Sequence, residues 1–393
     1  MKRFTLIIDG HNFFFRSLWN SFRNNKKKVL TTQGEIDTYE QSLMIDFCQV
    51  IKQFSNLVTD VVFVVDSHSW RKDLLLNQEY KGNRKKTQET VDRTGFNTAT
   101  GNFINTIEEL GVKVGRAERC EGDDLIYAWS ENLFEQGISS LILSTDRDLT
   151  QLVKCVGGVH IIQYAPIGNK LFMSKESSDF INDISNRTIT EENLFEEVIT
   201  ISIENDPFKK FVDTTETVIV DPEVIRFSKI IGGDGSDNIY PVYYKPASDG
   251  HRAKGLGAKT VEKIYEAFKN KVQCDFNYMV FLDEETLKVI TNVIYDVANI
   301  KDDEFTKRMM IENLKTNTKL VALVNECIPA DVIDNMNINI AFEKQKKPVI
   351  ISKITKENIF AKSRFKDYRS SSRMTSSIFK GVKDDGDMSF IKG

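Results

Sequence analysis

Three short apolar runs, each leading into aspartate, set the terms for this chain. Phe4 to Ile8 ends at Asp9, Val61 to Val65 ends at Asp66, and Leu141 to Leu143 is followed by Asp146 and Asp148. Runs this short, rich in Ile and Val and separated by longer helix-like stretches, are the pattern of strands buried on both faces of a parallel sheet. Between the first two, Tyr39, Leu43, Phe47, Val50, Phe54 and Leu57 recur at steps of three and four, the stripe of an amphipathic helix. A right-handed βαβ crossover follows from that order. A further strand is expected at Val112 to Val114 and a helix over Asp124 to Phe134, so residues 1–165 read as one α/β layer domain.

Beyond that domain the pattern changes twice. Residues 166–220 are polar and read as an insertion of unknown role, and residues 221–342 are helical in pattern. Residues 343–393 are rich in Lys and Ser and read as a basic, poorly ordered tail.

Bulk properties narrow the function by exclusion. The net charge of −4, from 53 basic and 57 acidic residues in 393, argues against a protein that binds polyanions through overall positive charge. Five scattered cysteines without a C-x-x-C pair point away from zinc and toward a reducing compartment. No long apolar stretch suggests a membrane span or a signal sequence, so the expected place is cytoplasmic, the host cytoplasm for a viral protein.

The carboxylates carry the chemistry. Asp9, Asp66, Asp146 and Asp148 all follow strands, and in an open α/β sheet sites form beyond the carboxyl ends of strands. Glu121, Asp123 and Asp124 open a predicted helix, and Asp234 and Asp237 lie in Gly233-Asp234-Gly235-Ser236-Asp237-Asn238. A single such carboxylate is more readily a helix cap or a solvated group than a ligand. Several clusters converging on one edge would repel unless cations neutralised them. An all-oxygen set suits Mg²⁺ or Mn²⁺, and two such ions roughly 3.5–4 Å apart are suited to phosphodiester hydrolysis.

At this point the sequence resembles the 5′-nuclease family of flap endonucleases and 5′-3′ exonucleases, with the bacteriophage 5′-exonuclease and RNase H enzymes nearest. The resemblance rests on Ile8-Asp9-Gly10, Val65-Asp66, Tyr80-Lys81-Gly82-Asn83-Arg84, Glu121-Gly122-Asp123-Asp124, Ser144-Thr145-Asp146-Arg147-Asp148, the Gly233 to Asn238 segment and Gly255-Leu256-Gly257-Ala258-Lys259-Thr260, in the family's order. It implies a PIN-like core, a central mostly parallel sheet flanked by helices, with a helix-hairpin-helix-like DNA-binding region.

The same resemblance implies roles. Asp66 and Asp123 would hold one ion, assisted by Asp9 and Glu121. Asp146, Asp148 and again Asp123 would hold the second, completed by Asp234 and Asp237, with Asp124 a ligand or an orienting neighbour. Lys81 and Arg84 would contact the scissile phosphate, Lys85 and Lys86 would extend that patch, and an arch near 81–101 would be loosely ordered. Gly255, Gly257, Lys259 and Thr260 would grip duplex DNA, with K⁺ at that element, although an insertion at about 243–252 departs from the family's spacing.

The implied activity is Mg²⁺-dependent cleavage at 5′ ends or flaps of DNA or RNA-primed DNA, including RNase H action, in primer removal or repair. Branched or nicked duplex DNA and RNA-DNA hybrid are the implied partners of a monomer. Short apolar patches at Ser376 to Phe379 and Met388 to Ile391 suit docking to a sliding clamp or single-strand-binding protein. Rival readings are a PIN-type ribonuclease, a phosphohydrolase and a catalytically inactive DNA-binding protein. Neither of the first two explains Gly233 to Asn238 or Gly255 to Thr260. Phe13, Phe14, Phe15, Trp19 and Phe22 are expected mostly in the core, and His11, His68, His160 and His251 as structural or exposed.

Overall fold

The computed structural model describes residues 4–22, 30–74, 80–82, 93–185, 189–192, 198–201, 206–245, 254–271, 281–300 and 303–366. An eight-stranded sheet is built from β1 (Phe4–Asp9), β2 (Val58–Val64), β3 (Lys113–Gly115), β4 (Ser139–Leu143), β5 (Lys154–Val156), β6 (Val159–Ala165), β7 (Lys170–Met173) and β8 (Glu216–Ile219). Its order is β8-β7-β6-β4-β1-β2-β3, with β5 paired on β6. The five strands β3, β2, β1, β4 and β6 run parallel, while β7 turns back antiparallel to β6. The sheet is therefore mixed, flanked by helices.

Alternation along the strands divides the core. Phe4, Leu6 and Ile8 pack with α1 (Gly10–Ser21), α2 (Gln33–Phe54) and α3 (Arg93–Glu109), whereas Ile7 faces the opposite layer with α4 (Gly122–Glu135). Helix α2 starts where Thr32 and Glu35 form a reciprocal capping box, and it buries the expected stripe. Phe13, Phe14, Phe47, Phe63 and Phe103 meet edge to face on this side, each burial contributing roughly 1.5–3 kcal/mol.

Three expectations need correction. Residues 166–220 are not a separate insertion, because β7 and β8 extend the main sheet as far as Ile219. Helix α5 (Lys175–Ser185), a hairpin of Ile189–Glu192 with Val198–Ile201, and α6 (Pro207–Asp213) complete this stretch. The loosely ordered arch does not reach 101: Phe96, Ala99 and Phe103 are buried on α3, an apolar spacing hidden among Thr and Asn.

The helical region, α7 (Pro222–Gly232), α8 (Ala258–Lys271), α9 (Glu284–Ala298) and α10 (Glu304–Val321), has its own core. Helix α11 (Ala330–Gln345) instead returns to β3 and α4, burying Val332, Met336 and Ile340 against the sheet. The poorly ordered tail does not begin at 343. Val349, Ile351, Ile354, Ile359, Phe360 and Phe365, the last three on or just beyond α12 (Lys356–Lys362), join the first core. Arg364 pairs with the buried Glu40 at 2.9 Å. Ser376 to Phe379 and Met388 to Ile391 lie outside the described residues, as do residues 246–253 and His251.

Cys48, Cys120, Cys155 and Cys327 are free, and among the described residues no helix is long and apolar enough to cross a membrane.

Candidate active site

The strand ends meet at a cleft of about 840 Å³ lined by Asp9, Asp66, Glu121, Asp123, Asp146, Asp237 and Lys81. Asp9 caps α1: one carboxylate oxygen accepts the Asn12 N–H at 3.0 Å and the other accepts the Ser144 hydroxyl at 2.6 Å. Gly10 must lack a Cβ, which would lie 2.3 Å from the Val64 carbonyl oxygen. The Asn12 amide donates to the Thr145 hydroxyl at 2.6 Å and its Oδ1 accepts the Thr145 N–H at 3.2 Å, locking β1 to the turn after β4. In that turn Ser144 Oγ accepts the Asp146 N–H at 3.0 Å, and Asp146 Oδ1 accepts the Asp148 N–H at 2.9 Å.

Asp66 is fixed from the opposite side. Its Oδ1 accepts the Gly122 N–H at 2.5 Å, and its Oδ2 lies 3.1 Å from His11 Nδ1. A Cβ at position 122 would sit 2.3 Å from that oxygen, so glycine is what lets α4 begin against Asp66. Glu121, at the helix N-cap, makes no side-chain cap bond and turns inward. Its carboxylate accepts from Arg71 at 3.1 Å, the Tyr80 hydroxyl at 3.1 Å and Lys81 at 2.8 Å. Burial raises the Glu121 carboxyl, but Arg71 and Lys81 outweigh it and hold it at about 2.

Lys81 adopts a left-handed backbone, φ +56°, at a cost of roughly 1–2 kcal/mol for a residue with a Cβ. Its N–H donates to the Asp237 carbonyl at 2.8 Å, and its ammonium lies 3.9 Å from the Asp237 carboxylate. Burial alone would favour the neutral amine; Glu121, Asp237 and Asp123 raise its pKa and keep it charged.

Helix α7 supplies a second cation. Lys229 bonds Asp148 and lies 2.6 Å from Asp234. Burial would raise the Asp234 carboxyl, but Lys229 and the Ser236 hydroxyl and N–H bring it to about 2.

The remaining acids are crowded. Burial, then the fields of Asp146 and Asp9, push Asp123 well above the carboxylate range. Burial also takes Asp9 to about 6 despite its two hydrogen bonds. Among the described residues no three His, Cys, Asp or Glu side chains stand close enough together to hold one metal ion in the rotamers seen. The donor set nevertheless suits a hard divalent cation: carboxylate oxygens, with more negative charge around Asp123 than Lys81 offsets.

The structure separates the expected residues. Asp148 and Asp234 stand beside the cleft, paired through Lys229. Asp124 faces away as a correction to its place among the ligands: both oxygens take Arg71 at 2.7 Å, one also takes Trp70 Nε1 at 3.0 Å, and the group is fully buried. Gly255, Gly257, Lys259 and Thr260 lie at the start of α8, apart from the cleft lining. Gly255 is close-packed on Pro241, and Thr260 N–H donates to the Gly257 carbonyl at 2.8 Å. Arg84, Lys85 and Lys86 lie outside the described residues.

Sequence reasoning missed Arg71, Asn12, Ser144 as a bonding partner, and Lys229. Only Lys229 carried a signal, a cation in the apolar run of α7 one turn before Gly233. His11 lines the cleft beside Asp66, more involved than a merely structural or exposed residue, while His160 is buried against Ser177. Phe13 and Phe14 are core as expected, whereas Phe15 and Trp19 border the cleft.

A sequence profile described as the 5′-3′ exonuclease N-terminal, resolvase-like domain matches residues 4–194. Flap endonuclease Xni of Shewanella denitrificans is 30% identical over 149 residues, covering 38% of this chain and 52% of that protein. A 5′-3′ exonuclease of Buchnera aphidicola is 28% identical over 148 residues, covering 38% and 48%. The chain thus matches about half the length of these curated relatives. The crystal structure of a bacteriophage T5 flap endonuclease in a pseudo-enzyme-product complex with DNA and metal ions superposes with a TM-score of 0.51 at 16% identity, covering 88% of this chain and 100% of that one, a likeness of fold. Residues 4–194 are thus similar to the N-terminal, resolvase-like domain of 5′-3′ exonucleases.

Proposed function

We propose that this chain is a divalent-metal-dependent 5′-nuclease that hydrolyses phosphodiesters at or near 5′ ends or flaps of DNA or RNA-primed DNA. The observation that carries the reading is the convergence of Asp9, Asp66, Glu121, Asp123, Asp146, Asp237 and one held lysine on a single cleft at the strand ends. Asp66 and Asp123, assisted by Asp9 and Glu121, would hold one ion, and Asp146, Asp148 and again Asp123, completed by Asp234 and Asp237, the other. Bound Mg²⁺ or Mn²⁺ supplies an activated water and a counter-charge for the leaving oxygen. The chain's own part is positional. Asn12 and Ser144 fix Asp9 and the Asp146 turn, Gly122 fixes Asp66, and Arg71 fixes Glu121. Lys81 presents a permanent positive charge where a phosphate would gain charge in the transition state. The curated relatives' names, flap endonuclease and 5′-3′ exonuclease, support the same reading.

In this reading the α/β layer is a PIN-like core, and α7 to α10 form the duplex-gripping region. Gly255 to Thr260 are its helix-hairpin-helix-like element, with K⁺ held there, because a helix start suits a DNA phosphate. Nicked, branched and RNA-primed duplexes are the substrates.

The test is a cleavage time course on 5′-labelled flap, nicked, RNA-primed and hairpin substrates, with Mg²⁺ and with EDTA. Flap-length products requiring Mg²⁺ are expected, and one- to few-nucleotide products would shift the balance to exonuclease. Tight binding without cleavage of any substrate would sink the enzymatic reading.

A further inference from the structure

Lys229 ties together two carboxylates that arrive from different parts of the fold. Asp148 opens the 3₁₀ turn after β4, and Asp234 follows α7 in the Gly233 to Asn238 segment. The lysine ammonium bonds Asp148 and stands 2.6 Å from Asp234. The two acids are not equally anchored. Asp234 Oδ1 also accepts the Ser236 N–H at 2.8 Å and the Ser236 hydroxyl at 2.5 Å, so that carboxylate is fixed by its own turn. The Lys229 side chain is 22% exposed, on a four-carbon stem with a route to solvent.

An ammonium and a metal ion compete for the same lone pairs. A divalent ion bridging Asp148 and Asp234 would need the oxygens that Lys229 now uses, and two cations that close repel strongly in a half-buried site. We infer that Lys229 is a displaceable internal counter-ion: it holds Asp148 and Asp234 together, and it must swing off that pair before a divalent cation can be held there. This rests on the metal reading of the cleft and deepens it. Its consequence is ordered loading. Among the described residues no lysine is paired with Asp9, Asp66 or Asp123 themselves, Lys81 being bonded to the neighbouring Glu121, so that group fills first. The Asp148 and Asp234 side fills at higher ion concentration, against the competition of the tethered charge.

The probe is Mn²⁺ alone, followed by the electron paramagnetic resonance of the free ion in titrations of the full chain. Wild type, Lys229→Arg, Lys229→Gln and Lys229→Met are compared, with no nucleic acid present. Wild type should show a tighter and a weaker class of site. In Lys229→Met and Lys229→Gln the weaker class should tighten roughly tenfold or more, the size expected when a full charge a few Å away is removed. Lys229→Arg, which keeps the charge, should titrate like wild type. Thermal melts supply the second readout: Lys229→Met should melt below wild type in EDTA, and saturating Mn²⁺ should close the gap. Unchanged Mn²⁺ affinity, with a melting deficit equal in EDTA and Mn²⁺, would show a purely structural lysine and overturn the inference alone. No Mn²⁺ bound by wild type would overturn the metal reading and this inference with it.

Discussion

At the scale of the residue, the cleft is organised by two cations whose tasks differ. Lys81 is held charged, in a strained backbone, bonded to Glu121 and 3.9 Å from Asp237, with its ammonium in the cleft lining where a phosphate can reach it. Lys81→Ala is expected to slow single-turnover cleavage by about 10²–10³-fold while weakening substrate binding far less, because the charge acts mainly on the transition state. Arg71 works from beneath: with its side chain 2% exposed, it neutralises Asp124 and Glu121. Arg71→Met should cost about 3–5 kcal/mol in urea unfolding, since it leaves two buried carboxylates short of a partner. The pH dependence has a definite sign. The folded-state pKa of Glu121 lies near 2, below its usual 4.5, so its contribution is complete above about 4.5 and is lost as pH falls toward 2. Asp9 acts oppositely: raised to about 6, it contributes below its usual 3.8 and that contribution is lost as pH rises through 6. Unfolding free energies measured from pH 2 to 8 should fall on the acid side in wild type, and less steeply in Arg71→Met. The acids of the cleft were legible in the sequence because each follows a strand or opens a helix. Arg71 was not, because a buried ion pair between residues 53 positions apart leaves no periodic trace.

At the scale of the element, what matters is how closely backbones approach at the sheet edge. Gly122 is the sensitive point, since a Cβ there would collide with the Asp66 carboxylate and not with the main chain. Gly122→Ala should therefore lower cleavage activity by about tenfold or more while moving the melting temperature only slightly, because displacing a side chain by an ångström is enough to spoil a site. A large fall in melting temperature would mean that the main chain, not Asp66, gives way. Strands β1, β2 and β4 and helix α2 were readable because apolar period and burial agree in them. Strand β7 was not, and β8 showed only as a β-like run at Val218 to Val220, because both are four residues long and sit among polar neighbours at the far side of the sheet. Helix α3 was hidden for a different reason: its buried Phe96, Ala99 and Phe103 are diluted by Thr, Asn and Gly, so composition suggested a loop where spacing carried a helix.

At the scale of the whole molecule, the chain does not divide where composition changes. Helices α7 to α10 form a separate core, yet α11 goes back to β3 and residues 349–365 close the opposite face against α2 and α3. Ending the chain at Lys346 should expose the surfaces that Ile351, Ile359 and Phe360 cover, each worth roughly 1.5–3 kcal/mol, and lower the melting temperature of the α/β layer itself. An unchanged melt would show that this segment merely rests on the surface. The same segment sets a clock on biosynthesis. Ile51 and Ile351 share one core but are 300 positions apart. At translation rates of about 5–20 residues per second, the ribosome delivers the second on the order of 15–60 s after the first. Through that interval the nascent layer holds an uncovered apolar face, so the carboxylate cleft can be assembled well before the domain that carries it is sealed.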